Sequence, residues 1–467
     1  MGILFKGRMT QSVAERRAMI LSGNSLRTLL LLSFPTLLMA LVQSLIPLSD
    51  GLFLNRSGGI VVASSVGFCQ PIVNMINAVS QGMAVAATAI IGQLNGLGDM
   101  KRVRHVSSQI MVFGFSMGIL LAPLSILMAY ILSTRVNADI AGSVFTYLSL
   151  YSAVLPLLFL AAIFNAIKNA TGQPEATLYR MVILLGCKLV FNTIFLSLLR
   201  WGVSGAVLAS FCSYVIIAVW MYYDLFKRPS ETQLSLENFR FDWPELKELL
   251  RIGIPSMLSS AMINLGFFLI NTEVEKYGAA ILNAQTISTS INNLCFTVPS
   301  AVSTTVTTMV AMNMSIGQQK NARRITWQAF GIGSGLALAL IAIFYPAAPF
   351  LVSLFTSDPQ ISEVAVSALN IYTFSILGFA IYMVAQGAFI GLGRTKITLF
   401  GGLLRIWLFR YLFILVAQRF WGMEVEAVFW GNLFSNVLAA LLLAGFLMLR
   451  PFTTAIKTVK DQQKHET

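Results

Sequence analysis

Charge is what this sequence has least of. Of its 467 residues only 11% are Asp, Glu, Lys or Arg, and 56% are hydrophobic. Soluble domains carry roughly 25% charged residues, so an ordinary soluble enzyme or binding module is excluded. Histidine is almost missing: His105 and His465 are the two present, both in polar segments where a solvated surface residue is the plain reading. The four cysteines, Cys69, Cys187, Cys212 and Cys295, all fall in apolar runs at spacings that match no metal motif. They read as small core residues, and neither a disulfide framework nor a structural metal is expected. No nucleophile–base pair or phosphate loop stands out. No catalytic residue and no cofactor are therefore expected, and the chain is not read as an enzyme. The longest polar stretch, 227–248, has room only for a loop.

What is present is apolar sequence in long runs. Stretches of about 20 residues or more recur along the whole chain, the signature of spanning helices rather than barrel strands. Twelve are expected, at 29–55, 60–94, 106–132, 139–167, 177–199 and 202–226, then 249–272, 279–312, 325–355, 361–390, 398–418 and 425–449. The basic residues test that topology. With the N-terminus and the even-numbered loops placed in the cytoplasm, 24 of the 32 Lys and Arg fall on that side and five on the other. Such a split is a strong positive-inside signal. Both termini are then expected in the cytoplasm of a multi-pass protein of the cell (inner or plasma) membrane. The net charge of +13 reads as orientation and attraction to the lipid bilayer's anionic head groups, not as nucleic-acid binding. The segment before Leu29 shows no signal-peptide pattern.

The two halves of the chain repeat each other at an offset of about 220 residues. SFPTLL at 33–38 answers GIPSML at 253–258, and GDMKRVR from Gly98 answers GQQKNAR from Gly317. ATGQPEAT from Ala170 answers GLGRTKIT from Gly391, and Trp201-Gly202 answers Trp421-Gly422. Chance likeness of apolar helices does not match polar loops in one order. Six helices per half leave both halves in the same orientation, related by a pseudo-two-fold axis along the membrane normal. The expected fold is all-α, integral to the membrane, in two six-helix lobes: 1–226, then a cytoplasmic linker at 227–248, then 249–467 with a cytoplasmic tail.

Chemistry is sought among polar residues inside the spans. Asp50 is the one acid of 19 that cannot be moved to a loop or helix end, and an intramembrane acid is by default a functional hypothesis. Pro47, three residues before it, removes a backbone hydrogen bond and frees a carbonyl nearby. Asn192 and Ser210, in the fifth and sixth spans, are neutral ligands able to face it. Such a group would bind a proton or a sodium ion; a structural ion pair or a snorkelling acid is the plainer alternative. Lys188, four residues before Asn192, shares its helical face and must be paired, neutral or in water. Asp50 is one candidate partner. Arg405 and Arg410, in the eleventh span, read as snorkelling or structural.

In the second span Gln70, Asn74, Asn77 and Gln81 put four amides on one helical face. The eighth span carries Gln285, Thr289, Asn292 and Asn293, with Ser300 and Thr304 further on. Interhelical hydrogen bonding accounts for some of these; a wet substrate cavity accounts for all.

These features together resemble the multidrug and toxic compound extrusion (MATE) family, from about Leu26 to Leu449. The pattern is Pro35, then Asp50, then GQLNGLGDMKRVR from Gly92, with GLGRTK from Gly391 and RIWLFR from Arg405 in the second half. The resemblance implies a secondary antiporter working by alternating access. It would export amphipathic organic compounds, cationic ones among them, in exchange for protons or sodium ions. It implies a cation site at Asp50, Asn192 and Ser210. Where one branch of the family adds a second acid this chain has Leu196. Where another branch uses acids in spans 7 and 10 it offers Asn264, a further cavity residue, and Phe379. One acid beside Lys188 favours protons. The partners expected are a small-molecule substrate and the coupling cation, with the chain a monomer. A flippase for lipid-linked sugars of the same superfamily is the alternative; it would need more cationic charge in its cavity.

Overall fold

The computed structural model describes residues 12–54, 59–134, 138–237, 239–356, 358–449, 452–454 and 456. Twelve helices among them are long and apolar enough to cross a membrane, and no strand occurs among the described residues. The reason is elementary. A bilayer offers no water to backbone N–H and C=O groups, so apolar segments must satisfy them internally as helix.

The spans run Ser25–Phe53, Gly59–Leu97, Met100–Ser133, Ala138–Ala170, Pro174–Leu198, Gly202–Lys227, Trp243–Glu275, Ala279–Ser315, Gln319–Ser353, Pro359–Gly391, Thr395–Phe420 and Glu426–Leu449. Several start earlier than their apolar cores, because a polar first turn is capped. Asp99, for example, accepts a hydrogen bond from the Arg102 amide at 3.0 Å at the start of span 3, an N-cap of the usual kind. A short helix, Val13–Ser22, precedes the first span.

Among the described residues, spans 4, 5, 6 and 11 depart from α geometry within their length. Span 4, expected as one helix, is broken by a 3₁₀ turn at Ser152–Val154; Pro156, just beyond it, has no N–H to continue the ladder. Spans 5, 6 and 11 wind as π-helix at Thr193–Leu198, Tyr223–Lys227 and Leu404–Leu412. Such winding is rare and concentrates at functional sites.

The repeat has a backbone signature. Gly98 and Gly317 follow the second and eighth spans with φ of +82° and +73°, and Gly172 and Gly393 follow the fourth and tenth with +74° and +71°. Gly202 and Gly422 repeat it at +57° and +64°. Glycine takes this left-handed conformation at helix ends without a steric penalty. The same turns were therefore written twice.

Two compact units emerge: residues Met1–Met19 with Leu38–Met257, and residues Ile20–Leu37 with Leu258–Thr467. They are not the two halves of the sequence. The chain changes unit inside span 1 and again inside span 7, two or three residues after Pro35 and Pro255. Packing explains the membership. Leu29 and Leu32 belong to the second unit's core with Val302, Val306, Ala388 and Phe389. The opening of span 7 belongs to the first unit: Glu245 takes Arg102 in a 2.8 Å ion pair, and Met257 lies against Gly82.

Each unit packs through small residues. In the second, Gly387 and Gly391, a Gly-x-x-x-Gly pair, bring span 10 onto span 8, where a β-carbon would sit 2.4 Å from the Ser303 carbonyl and 2.7 Å from that of Thr307. Close backbone approach of this kind replaces the hydrophobic drive that lipid does not supply. In the first unit, Gly118 meets the backbone of Pro156 in the same way. Buried ion pairs join its helix ends: Arg16 with Glu175, and Lys168 with Asp224 at 2.5 Å, Arg228 adding a 3.2 Å contact to the same carboxylate.

Candidate functional site

Asp50 lies in the last turn of span 1, within the first unit. Span 5 meets it with two donors one turn apart. The Lys188 ammonium is ion-paired to Oδ2, and the Asn192 amide donates to Oδ1 at 2.8 Å. The i, i+4 spacing of Lys188 and Asn192 places both on one face, and the π-helical winding begins at the next residue, Thr193. The Lys188 side chain is 8% exposed and that of Asp50 28%. The lysine is thus sequestered and the acid keeps a face open.

The site's floor is apolar. Leu196, one turn beyond Asn192, is fully buried with Leu54, Val66, Cys69 and Val73. Tyr147 and Tyr151, one turn apart on span 4, stack with centroids 5.7 Å apart and lie within the electrostatic reach of Asp50. Sequence reasoning passed over them; two tyrosines at helical spacing in an apolar span were the only signal.

Ser210 is not part of this constellation. Its hydroxyl donates to the Ala206 carbonyl at 3.2 Å, inside its own helix, the usual refuge of a serine on a membrane helix. Of the span 2 amides, Gln70, Asn74 and Gln81 are exposed and Asn77 half-buried. Gln70 donates to Asn74 at 3.1 Å, as expected of neighbours on one face.

The span 8 residues divide. Gln285 is buried and accepts from the Tyr372 hydroxyl at 2.5 Å, so it serves the second unit's core. Asn292 is buried with its Oδ1 unpartnered, while Asn293 is exposed. Thr289 returns its hydroxyl to the Gln285 carbonyl at 2.8 Å, and Asn264 of span 7 donates to the Ser260 carbonyl at 2.9 Å. No group of three or more His, Cys, Asp or Glu able to hold a metal occurs among the described residues.

Arg405 and Arg410 do not snorkel. Both are buried, in the π-helical stretch of span 11. The Arg405 guanidinium lies 5.4 Å from the Phe379 ring centre and 4.9 Å from that of Tyr382, and it donates to Asn436 at 3.0 Å. Arg410 lies 5.3 Å from the ring of Phe267. Phe379 therefore carries a cation on its face.

A profile of the MatE family matches residues 35–194 and, a second time, residues 255–416. The two matches start at Pro35 and Pro255, 220 residues apart. The probable multidrug resistance protein NorM of Thermotoga maritima is 23% identical over 389 residues, 82% of this chain and 83% of that protein. The multidrug export protein MepA of Staphylococcus aureus is 24% identical over 423 residues, covering 86% and 91%. A crystal structure of MATE in complex with MaD3S matches with a TM-score of 0.88 at 22% identity, over 95% of this chain and 99% of that one.

Proposed function

Because this chain belongs to the MatE family of multidrug efflux transporters, a multi-pass membrane transporter and not an enzyme, we propose that it exports amphipathic organic compounds in exchange for protons taken up at Asp50. One observation carries the choice of proton. Both oxygens of the Asp50 carboxylate are occupied by hydrogen-bond donors, the Lys188 ammonium and the Asn192 amide. An ammonium has no lone pair to offer a metal ion. Hard cations require a shell of oxygen ligands, and here the neighbours present N–H groups. A proton needs only one lone pair of one oxygen.

The coupling then follows from charge. With Asp50 ionised, Lys188 is neutralised and span 5 is tied to the end of span 1. A proton arriving at the half-exposed carboxylate removes the charge that holds the ammonium. Lys188 is left as a buried cation without its counter-ion, a costly arrangement that favours any conformation in which the amine finds water or another acceptor. Protonation thereby biases a two-state element, which is all that coupling requires. Substrate is taken from the cytoplasmic side, an orientation supported by the asymmetric distribution of Lys and Arg. In the first unit the exposed amides Gln70, Asn74 and Gln81 are the polar contacts offered to it. Two units in one chain supply what alternating access needs, so a monomer suffices.

Purified protein in liposomes tests this directly. Efflux of a fluorescent amphipathic dye should accelerate under an imposed proton gradient and ignore a sodium gradient of equal size. Sodium-driven efflux in the absence of a proton gradient would sink the proton reading.

A further inference from the structure

The linker between spans 6 and 7 runs down the side of span 3 and back. On the way down, the Arg104 guanidinium donates to the Glu231 carbonyl at 2.7 Å and the Ser108 hydroxyl to that of Ser235 at 3.2 Å. The chain reverses just beyond, where the Phe239 amide donates to the Leu236 carbonyl at 3.2 Å. Gln109 clamps the return. Its side-chain nitrogen donates to the Arg240 carbonyl at 2.5 Å, and its oxygen accepts from the Asp242 amide at 3.2 Å. Further back, His105 lies 3.6 Å from Asp242 and Arg102 holds Glu245. Ser108 and Gln109 are buried.

Span 3 sets the depth of this loop. From Ile110 to Ser133 it carries no charged residue. At 1.5 Å per residue that stretch is about 36 Å long, enough for the roughly 30 Å hydrocarbon core. Gln109 therefore stands at the edge of the bilayer and holds the tip of the linker there. The tip shows apolar side chains outward: Leu236 is exposed, as are Phe241 and Trp243, at 54% and 65%. Phe239 packs edge-on against Phe241, with centroids 5.1 Å apart. Charge is distributed to match. Glu231 accepts from the Ala14 amide at 3.0 Å, and Asp242, Glu245 and Glu248 face His105, Arg102 and Arg251. Glu237 is the exposed acid of the tip. Arg240 and Lys247 are exposed, and neither forms an ion pair among the described residues. Lys247 lies one turn beyond Trp243, on the same face of span 7.

We propose that Leu236, Phe239, Phe241 and Trp243 seat the linker in the head-group layer of the membrane, where Arg240 and Lys247 bind the phosphates of anionic phospholipids. Aromatic rings with a polar edge collect at this level, one end apolar and the other wet. A guanidinium takes a phosphate in two parallel hydrogen bonds, and an ammonium adds a mobile point charge. Each basic residue close to an anionic surface adds to the attraction. The excess of Lys and Arg on the linker's side of the chain supports the inner leaflet as the partner. Because Trp243 opens span 7, the anchor also fixes the height at which that span enters the bilayer. The whole surface belongs to the first unit, and it stands independently of the coupling reading.

Tryptophan quenching in lipid nanodiscs that hold the full chain provides the test. The chain has seven tryptophans, so the Trp243 signal is the difference between wild type and Trp243→Phe. Phosphatidylcholine brominated near the head group should quench it more than lipid brominated near the chain end, and aqueous acrylamide should hardly quench it. Brominated phosphatidylglycerol, at the same mole fraction as brominated phosphatidylcholine, should quench it about threefold more strongly. Arg240→Gln combined with Lys247→Gln should bring the two lipids to parity. Acrylamide should stay excluded in that variant, because the rings still seat the loop. If Trp243→Phe fails to fold, an indole added by Phe241→Trp reads the same depth. Ready quenching by acrylamide, with none by either brominated lipid, overturns the anchor. Equal quenching by the two head groups in the wild type, or selectivity that survives the double substitution, overturns the binding of anionic lipid by Arg240 and Lys247.

Discussion

Lys188 of span 5 is ion-paired to Asp50 in the last turn of span 1. The pair joins two distant stretches of the chain through an acid inside an apolar run, and it occupies the carboxylate oxygen that an external cation would otherwise seek.

Replacing Asp50 with Asn should abolish gradient-driven efflux while the protein still inserts and folds. The amide keeps the shape and can accept from Lys188 or Asn192, but it cannot take up a proton. Efflux measured in liposomes with and without a proton gradient should lose its gradient dependence at least tenfold. A variant that still responds fully to the gradient would refute the role given to Asp50.

Replacing Lys188 with Gln should change which ions the site senses. The substitution removes the ammonium and supplies a side-chain oxygen, leaving Asp50 free to attract a metal ion. Thermal midpoints should then rise with sodium or lithium relative to choline at equal ionic strength, because a ligand bound only by the folded state stabilises it by mass action. The wild-type midpoint should not respond.

In the first unit, Asp224→Asn leaves Lys168 buried without its counter-ion and removes the partner of Arg228 as well. Breaking a buried pair from one side costs about 3–5 kcal/mol, read as a lower denaturation midpoint. The double variant Lys168→Met, Asp224→Leu should recover much of that loss, since no unpaired buried charge remains and Arg228 is solvent-exposed.

In the second unit, Gly387→Val and Gly391→Val place side chains against the backbone carbonyls of Ser303 and Thr307. Backbone does not swing aside as a side chain does, so each should cost about 1–3 kcal/mol or more. Gly335, on span 9, has open space where its β-carbon would lie. Gly335→Ala should be neutral or slightly stabilising, because alanine is the better helix former by about 1 kcal/mol. Melting curves of the three variants make the comparison.

Much of the architecture was readable in one dimension. The spans follow from apolar runs because lipid leaves a backbone no alternative to helix. The repeat was legible in its polar loops, and the family match recurs with the same 220-residue offset. Asp50, Lys188 and Asn192 stood out for the same physical reason: ionisable and amide groups are expensive in hydrocarbon, so each one present asks for a partner.

Which partner each one found was a matter of tertiary structure. Helical periodicity placed Lys188 and Asn192 on one face but did not say that this face turns to Asp50, nor that Ser210 bonds within its own helix. The division of the chain inside spans 1 and 7 is equally invisible in sequence, because an apolar helix looks the same whichever neighbours it packs against. Arg405 and Arg410 show the limit most plainly. Their place in an apolar run says only that they are costly there, while the rings that lie against them, Phe379 and Tyr382 at Arg405 and Phe267 at Arg410, come from other spans. Hydrophobicity is a local property that decides where a helix runs. The pairing of buried polar groups depends on which helices meet, and that is decided in three dimensions.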